Sequence, residues 1–196
     1  VLTACGGGSS TTSSSKDEIN WYLPTEISTL DISKVTDSYS SIAIGNSGSN
    51  LLRRDKNGDL QPDLAAKDIE VSDDGLTYTA TLRDNLKWSD GSDLTAEDFV
   101  YTWQRIVDPK TASEYAYLVS DAHVLNAEEV INGTKSVDEL GVKADGNKVI
   151  FTLSSPSPQF MSLLSFTNFM PQSKAFVEKT GDDYGTSSDK ALYSGP

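Results

Sequence analysis

The chain is 196 residues long and carries 29 acidic against 16 basic side chains. The resulting formal charge of −13 disfavours nucleic acid as a partner and supplies no polybasic patch for a membrane surface. The charges are scattered along the chain, which makes solubility their plain consequence. One cysteine and one histidine exclude an internal disulfide, a cysteine-built metal centre and a multi-histidine site. A Ser-His-Asp triad would have only His123 as its base, and no serine sits in a nucleophile elbow, so the chain does not read as an enzyme.

In chain order, Leu2-Thr3-Ala4-Cys5 reads as a lipobox, in which small residues precede a cysteine that becomes a lipidated N-terminus. Cys5 is therefore the expected lipidation site. Ser9 to Ser15 are all Ser or Thr, a flexible tether that buries no apolar area. No apolar run approaches the ~20 residues of a spanning helix. The expected arrangement is a lipid-anchored protein on the extracellular face of a cell membrane, in a Gram-positive bacterium. Further on, Asp55, Asn57 and Asp59 mimic the first positions of a calcium loop. Leu60 and Ala66 stand where such a loop needs Gly and Glu, so a polar turn is expected and no metal or cofactor is called for.

Residues 73 to 109 are the densest stretch. Leu76, Tyr78, Ala80 and Leu82 alternate with Thr77, Thr79, Thr81 and Arg83, the period of two of a strand with one buried face. Asp74-Gly75 turns into this strand, Leu86 and Trp88 resume the alternation, and Asp90-Gly91 turns again, which predicts a hairpin or short meander. Thr95 and Asp98 then form a capping-box variant at the start of a helix. That helix carries one apolar stripe of Phe99, Val100, Trp103, Ile106 and Val107 and ends before Pro109. The aromatics here read as core. Val124, Leu125, Ala127, Val130 and Ile131 predict a second helix, ending near Asn132-Gly133. A hairpin follows, with Val149, Phe151 and Leu153 on one face and its turn at Asp145-Gly146-Asn147. Strands and helices mix without regular βαβ alternation, so the fold class is α/β of the mixed α+β kind.

At this point the residues resemble a known family. Asp74-Gly75-Leu76-Thr77-Tyr78, Lys87-Trp88-Ser89-Asp90-Gly91, Thr95-Ala96-Glu97-Asp98-Phe99-Val100-Tyr101 and Trp103-Gln104-Arg105 are similar to the signature of the oligopeptide-binding proteins of bacterial ABC importers. Thr29-Leu30-Asp31, Leu51-Leu52 with Asn57-Gly58, Glu139 to Ala144, Pro158-Gln159-Phe160 and Tyr193 to Pro196 agree in order and spacing.

The resemblance implies a periplasmic-binding-protein-like clamshell of two lobes, of which this chain is an N-terminal fragment holding only part of lobe I and its inserted small domain. Residues 1–16 would be the lipobox remnant and tether, 17–49 the first part of lobe I, 50–170 the inserted small domain, and 171–196 the start of the return to lobe I. It further implies capture of extracellular oligopeptides and their delivery to the permease subunits of an ABC transporter. A peptide-pheromone receptor on the same scaffold, or a surface adhesin or chaperone-like lipoprotein, are the alternatives. By the same resemblance the peptide-binding candidates are Thr36, Asp37 and Ser38, in a loop facing the cleft, and Tyr115 with Tyr117. Some members carry a carboxylate where Thr36 aligns, to meet the peptide amino terminus; here the carboxylate is next door, at Asp37.

Overall fold

The computed structural model describes residues 21–194, and the first regular element among the described residues is helix α1 (Ser38–Ser47). The expected lipidation site Cys5 and the tether lie outside the described residues. Strands β1 (Leu52–Arg54) and β2 (Leu60–Pro62) pair as a small antiparallel ribbon. Their connection is the polar turn expected at 55–59: the Asp55 carboxylate accepts from the amides of Asn57 and Asp59, and Gly58 takes a positive φ of 87°.

A four-stranded antiparallel sheet follows, in the order β3-β4-β6-β5, built from β3 (Glu70–Val71), β4 (Thr77–Thr81), β5 (Val142–Asp145) and β6 (Lys148–Thr152). The alternation predicted from the sequence is present on both central strands. Tyr78 and Ala80 of β4 and Val149 and Phe151 of β6 are buried, and Leu82 and Leu153 continue the same faces beyond the strands. The hairpin β5–β6 turns through Gly146-Asn147, with Asp145 opposite Lys148.

Two expectations need correction. Leu86–Trp88 does not pair with the 77–81 strand, because both edges of β4 are already taken by β3 and β6. Instead Lys87 bridges Asp93 across the Asp90-Gly91 turn, and the buried Trp88 donates its indole N–H to Asp98 at 3.3 Å. The helix expected from Val124 is also shorter. His123 and Asn126 hold positive φ values of 59° and 64°, which break a right-handed helix. Val124 and Leu125 run as an extension of the sheet, with the Leu125 amide donating to Thr152 at 2.9 Å. Helix proper is confined to α3 (Tyr117–Asp121) and α4 (Ala127–Ile131), between the long α2 (Ala96–Val107) and the short α5 (Phe160–Leu163) and α6 (Lys174–Thr180).

Helix α2 starts where the sequence says. The Thr95 amide donates to the Asp98 carboxylate at 2.8 Å, closing the capping box, and Asp108 ends the helix before Pro109. Burial pushes the Asp98 carboxyl up from its ordinary value, while the Thr95 amide and the Trp88 indole pull it the other way. All five stripe residues are buried, and the helix lies across β5 and β6. At its centre the Trp103 ring meets Phe151, Phe160 and Phe169 at centroid separations of 5.0, 5.8 and 4.4 Å. The Tyr78 ring meets Phe160 from the sheet side at 4.6 Å, tilted by 56°. This aromatic group joins strand, helix and loop in one core that runs from Leu51 to Phe169. A separate small cluster gathers Leu30, Ile32, Val35, Ile44 and Met170.

Trp103→Ala removes the ring on which three phenylalanines converge. It is expected to cost about 3–5 kcal/mol of unfolding free energy, read from urea denaturation followed by far-UV circular dichroism.

Candidate functional site

The loop of the first three candidates is fixed from below. The amides of Lys34 and Val35 both donate to the Asp31 carbonyl at 3.0 Å, and the buried Asn168 amide donates to the carbonyls of Ile32 and Val35 at 2.9 Å each. Out of this turn Asp37 becomes the N-cap of α1. One carboxylate oxygen accepts from the Ser40 amide at 2.8 Å and the other from the Ser28 hydroxyl. The Ser28 hydroxyl, followed by the Ser40 amide, holds the Asp37 carboxyl down at about 2. Thr36 and Ser38, on either side, are exposed. Both oxygens of Asp37 are thus engaged inside the chain, and the exposed hydroxyls flank a carboxylate that serves as a cap.

The two tyrosines lie elsewhere and are brought together. Tyr115 packs edge-on against Phe166 at 5.6 Å, and both line a groove of about 380 Å³ with Tyr117, Leu118, Leu163 and Arg54. Residues 36–38 do not line it. Tyr117 and Phe166 keep 52% and 38% of their surface exposed, which leaves an aromatic patch in contact with solvent. Through Phe166 and Phe169, whose rings lie 6.2 Å apart, the groove wall continues into the aromatic core around Trp103. Sequence reasoning missed Phe166 and Arg54. The paired Arg53-Arg54 in a chain of net charge −13 is the signal that could have drawn attention to the second.

Asp31 of the Thr-Leu-Asp element has a different task. Its carboxylate takes a bidentate pair from Arg105 of α2, at 2.5 and 2.8 Å, with the two side chains only 4% and 13% exposed. Gln172 accepts a further bond from Arg105 at 3.0 Å and donates to the Ser33 hydroxyl at 2.9 Å. The guanidinium also lies 5.2 Å from the centre of the Tyr184 ring, and burial pushes the Tyr184 phenol up, with the Asp31 charge adding to it. Gly185 takes φ 78° directly against the Asp31 backbone, where a Cβ would stand 2.2 Å from the Asp31 nitrogen. The segments around residues 31, 105, 172 and 184 are therefore tied at one point.

The model of the family described as bacterial extracellular solute-binding proteins, family 5, middle region, matches residues 59–196, which is more than half the chain. The chain belongs to that family. It is 49% identical over 197 residues to the dipeptide-binding protein of Lactococcus lactis subsp. cremoris, a match covering 100% of this chain and 34% of the relative. Among solved structures, the substrate-binding domain of an oligopeptide ABC transporter from Bacillus anthracis superposes with a TM-score of 0.83 at 44% identity, over 87% of this chain and 33% of that one. The pheromone receptor PrgZ, solved with its mode of peptide binding, superposes equally well, at 0.83 and 37% identity, over 87% of this chain and 34% of the receptor. The chain thus spans about a third of the length of the relatives it matches. The family is one of solute-binding proteins, not of enzymes, and its mixed α/β fold is the one found here.

Asp31→Ala leaves a buried guanidinium without its partner and is expected to cost about 3–5 kcal/mol in urea denaturation, whereas the double change Asp31→Leu with Arg105→Met costs clearly less. Asp37, with a folded pKa of about 2, contributes stability that is complete above the ordinary carboxylate value of ~3.9 and is lost as pH falls through about 2. Carboxyl-carbon NMR should give it a midpoint near 2, and Asp37→Asn should flatten the acid dependence of unfolding in that window.

Proposed function

We propose that this chain is part of the substrate-binding component of a peptide ABC transporter, which captures extracellular oligopeptides and hands them to the membrane permease. Membership of the solute-binding family carries the reading, supported by relatives named for dipeptide and oligopeptide binding. In such a receptor an extended peptide pairs its backbone as an added strand would, and two lobes close over it. The separation of the apolar core from Leu51 to Phe169 and the small cluster around Ile32, Val35, Ile44 and Met170 supports a division at about residues 50 and 170. On this reading, 50–170 is the inserted small domain, and 17–49 together with 171–196 belong to lobe I of a two-lobed clamshell. Thr36, Ser38, Tyr115 and Tyr117 are the peptide-facing candidates, with Asp37 shaping the first loop as a cap. Cys5 is the attachment point of a lipid that holds the protein on the outer face of the membrane of a Gram-positive cell.

A peptide-pheromone receptor is the second reading, favoured by one observation: PrgZ superposes as closely as the transporter domain does. The two differ in selectivity, since a receptor prefers one peptide over a mixed pool.

Calorimetry against a pool of short peptides tests the proposal. This chain alone is expected to bind them weakly, and the same chain continued to the length of its relatives to bind them at least a hundredfold more tightly, roughly 2.7 kcal/mol. Equal binding by both, or none by the longer chain, overturns the two-lobed capture reading.

A further inference from the structure

The groove beside α3 joins the two candidate tyrosines to two side chains that the family reading leaves unassigned, Phe166 and Arg54. One wall is aromatic: Tyr115 set edge-on to Phe166, with Tyr117 exposed beside them. The other contributes Arg54, from the end of β1. Its place follows from the backbone, because the Leu52 amide donates to the Leu164 carbonyl at 3.0 Å and the Asn50 side chain donates to the Phe166 carbonyl at 2.9 Å. These two bonds lay β1 along the turn that carries Phe166.

The guanidinium is open to a ligand. Arg54 gives one N–H to the Gly58 carbonyl at 2.8 Å, and among the described residues it makes no salt bridge. The nearest carboxylate in the sequence, Asp55, uses an oxygen on the amides of Asn57 and Asp59. Among the described residues, no acidic one lines the groove. On a chain of net charge −13, a hollow lined by a cation and aromatic rings without a carboxylate is where an anion meets attraction instead of repulsion. A planar guanidinium fits a carboxylate in a two-point bond, and the adjoining rings offer apolar surface a short reach away.

We infer that this groove is a subsite for a carboxylate carried next to an apolar side chain of the captured peptide, with Arg54 receiving the carboxylate and Tyr115, Tyr117 and Phe166 the apolar group. The inference rests on the peptide-capture reading and names a preference within it. The carboxylate belongs either to the peptide C-terminus or to an acidic side chain.

Four probes added to this chain decide the matter by NMR: N-acetylphenylalanine and its amide, and the C-terminal amides of N-acetyl-Phe-Glu and N-acetyl-Phe-Gln. The carboxylate member of at least one pair is expected to bind about two- to fivefold more tightly than its neutral partner, as suits an exposed ion pair. It should shift the Arg54 Nε signal and the ring signals of Tyr115 and Phe166. The pair that discriminates identifies the source of the carboxylate. Arg54→Gln should abolish the discrimination and Arg54→Lys should retain part of it. Equal binding within both pairs, discrimination unchanged in Arg54→Gln, or shifts that miss the groove overturns the subsite. So do Phe166 shifts that grow with protein concentration in the absence of probe, which would assign the groove to a second copy of the chain. The two readings fail separately. A chain continued to full length that captures peptides with no loss on C-terminal amidation and no preference for acidic side chains removes the subsite alone, and carboxylate discrimination in a protein that captures no peptide removes the capture reading alone.

Discussion

The ion pair of Asp31 and Arg105 is the constraint on which the arrangement of segments depends. Neither side chain can be left alone in so closed a place, since a buried unpaired charge costs several kcal/mol. The pair therefore fixes the early loop against the last full turn of α2. Gln172 and Tyr184 complete the enclosure from the later part of the chain, and the Leu30 amide donates to the Gly185 carbonyl at 2.7 Å. Elements more than seventy residues apart meet at a carboxylate whose geometry admits one guanidinium in one orientation.

From that point the structure is ordered in two directions. Towards the interior, α2 carries its apolar stripe down to the sheet, where Trp103 gathers the phenylalanines into a single aromatic core. Towards the surface, the turn following Asp31 delivers the loop at residues 36–38, and Asn168 holds its backbone from the side. The same core reaches solvent through Phe169 and Phe166, so the aromatic wall of the groove is an extension of the packing that stabilises the domain. On its aromatic side the groove rests on the core through Phe166, and on its arginine side Arg54 is held by one hydrogen bond.

Much of the local structure was legible in the residues. The helix from Thr95 to Asp108, its capping box and its buried stripe come from signals within a dozen residues, as does the 142–152 hairpin. The misreadings share a cause. Leu86 to Trp88 carries a strand-like pattern, but an edge of β4 can pair once only, and residues 148–152, far off in sequence, occupy it. Val124 and Leu125 carry a helix-like pattern, but two left-handed residues and a hydrogen bond to Thr152 place them on the sheet. Of the candidate residues, Tyr115 and Tyr117 share a groove, while Asp37 turns its carboxylate to its own helix.

By itself the sequence determined what depends on neighbours along the chain: periodicity, caps, turns, an acidic composition, and motifs specific enough to name a family. Only the tertiary structure decided that the Asp31 of one such motif is spent on Arg105, that Arg54 stands beside Phe166 across more than a hundred residues of chain, and which strands pair. Those outcomes depend on long-range closure of hydrogen bonds and charges, and a local pattern holds no record of which distant partner will satisfy it.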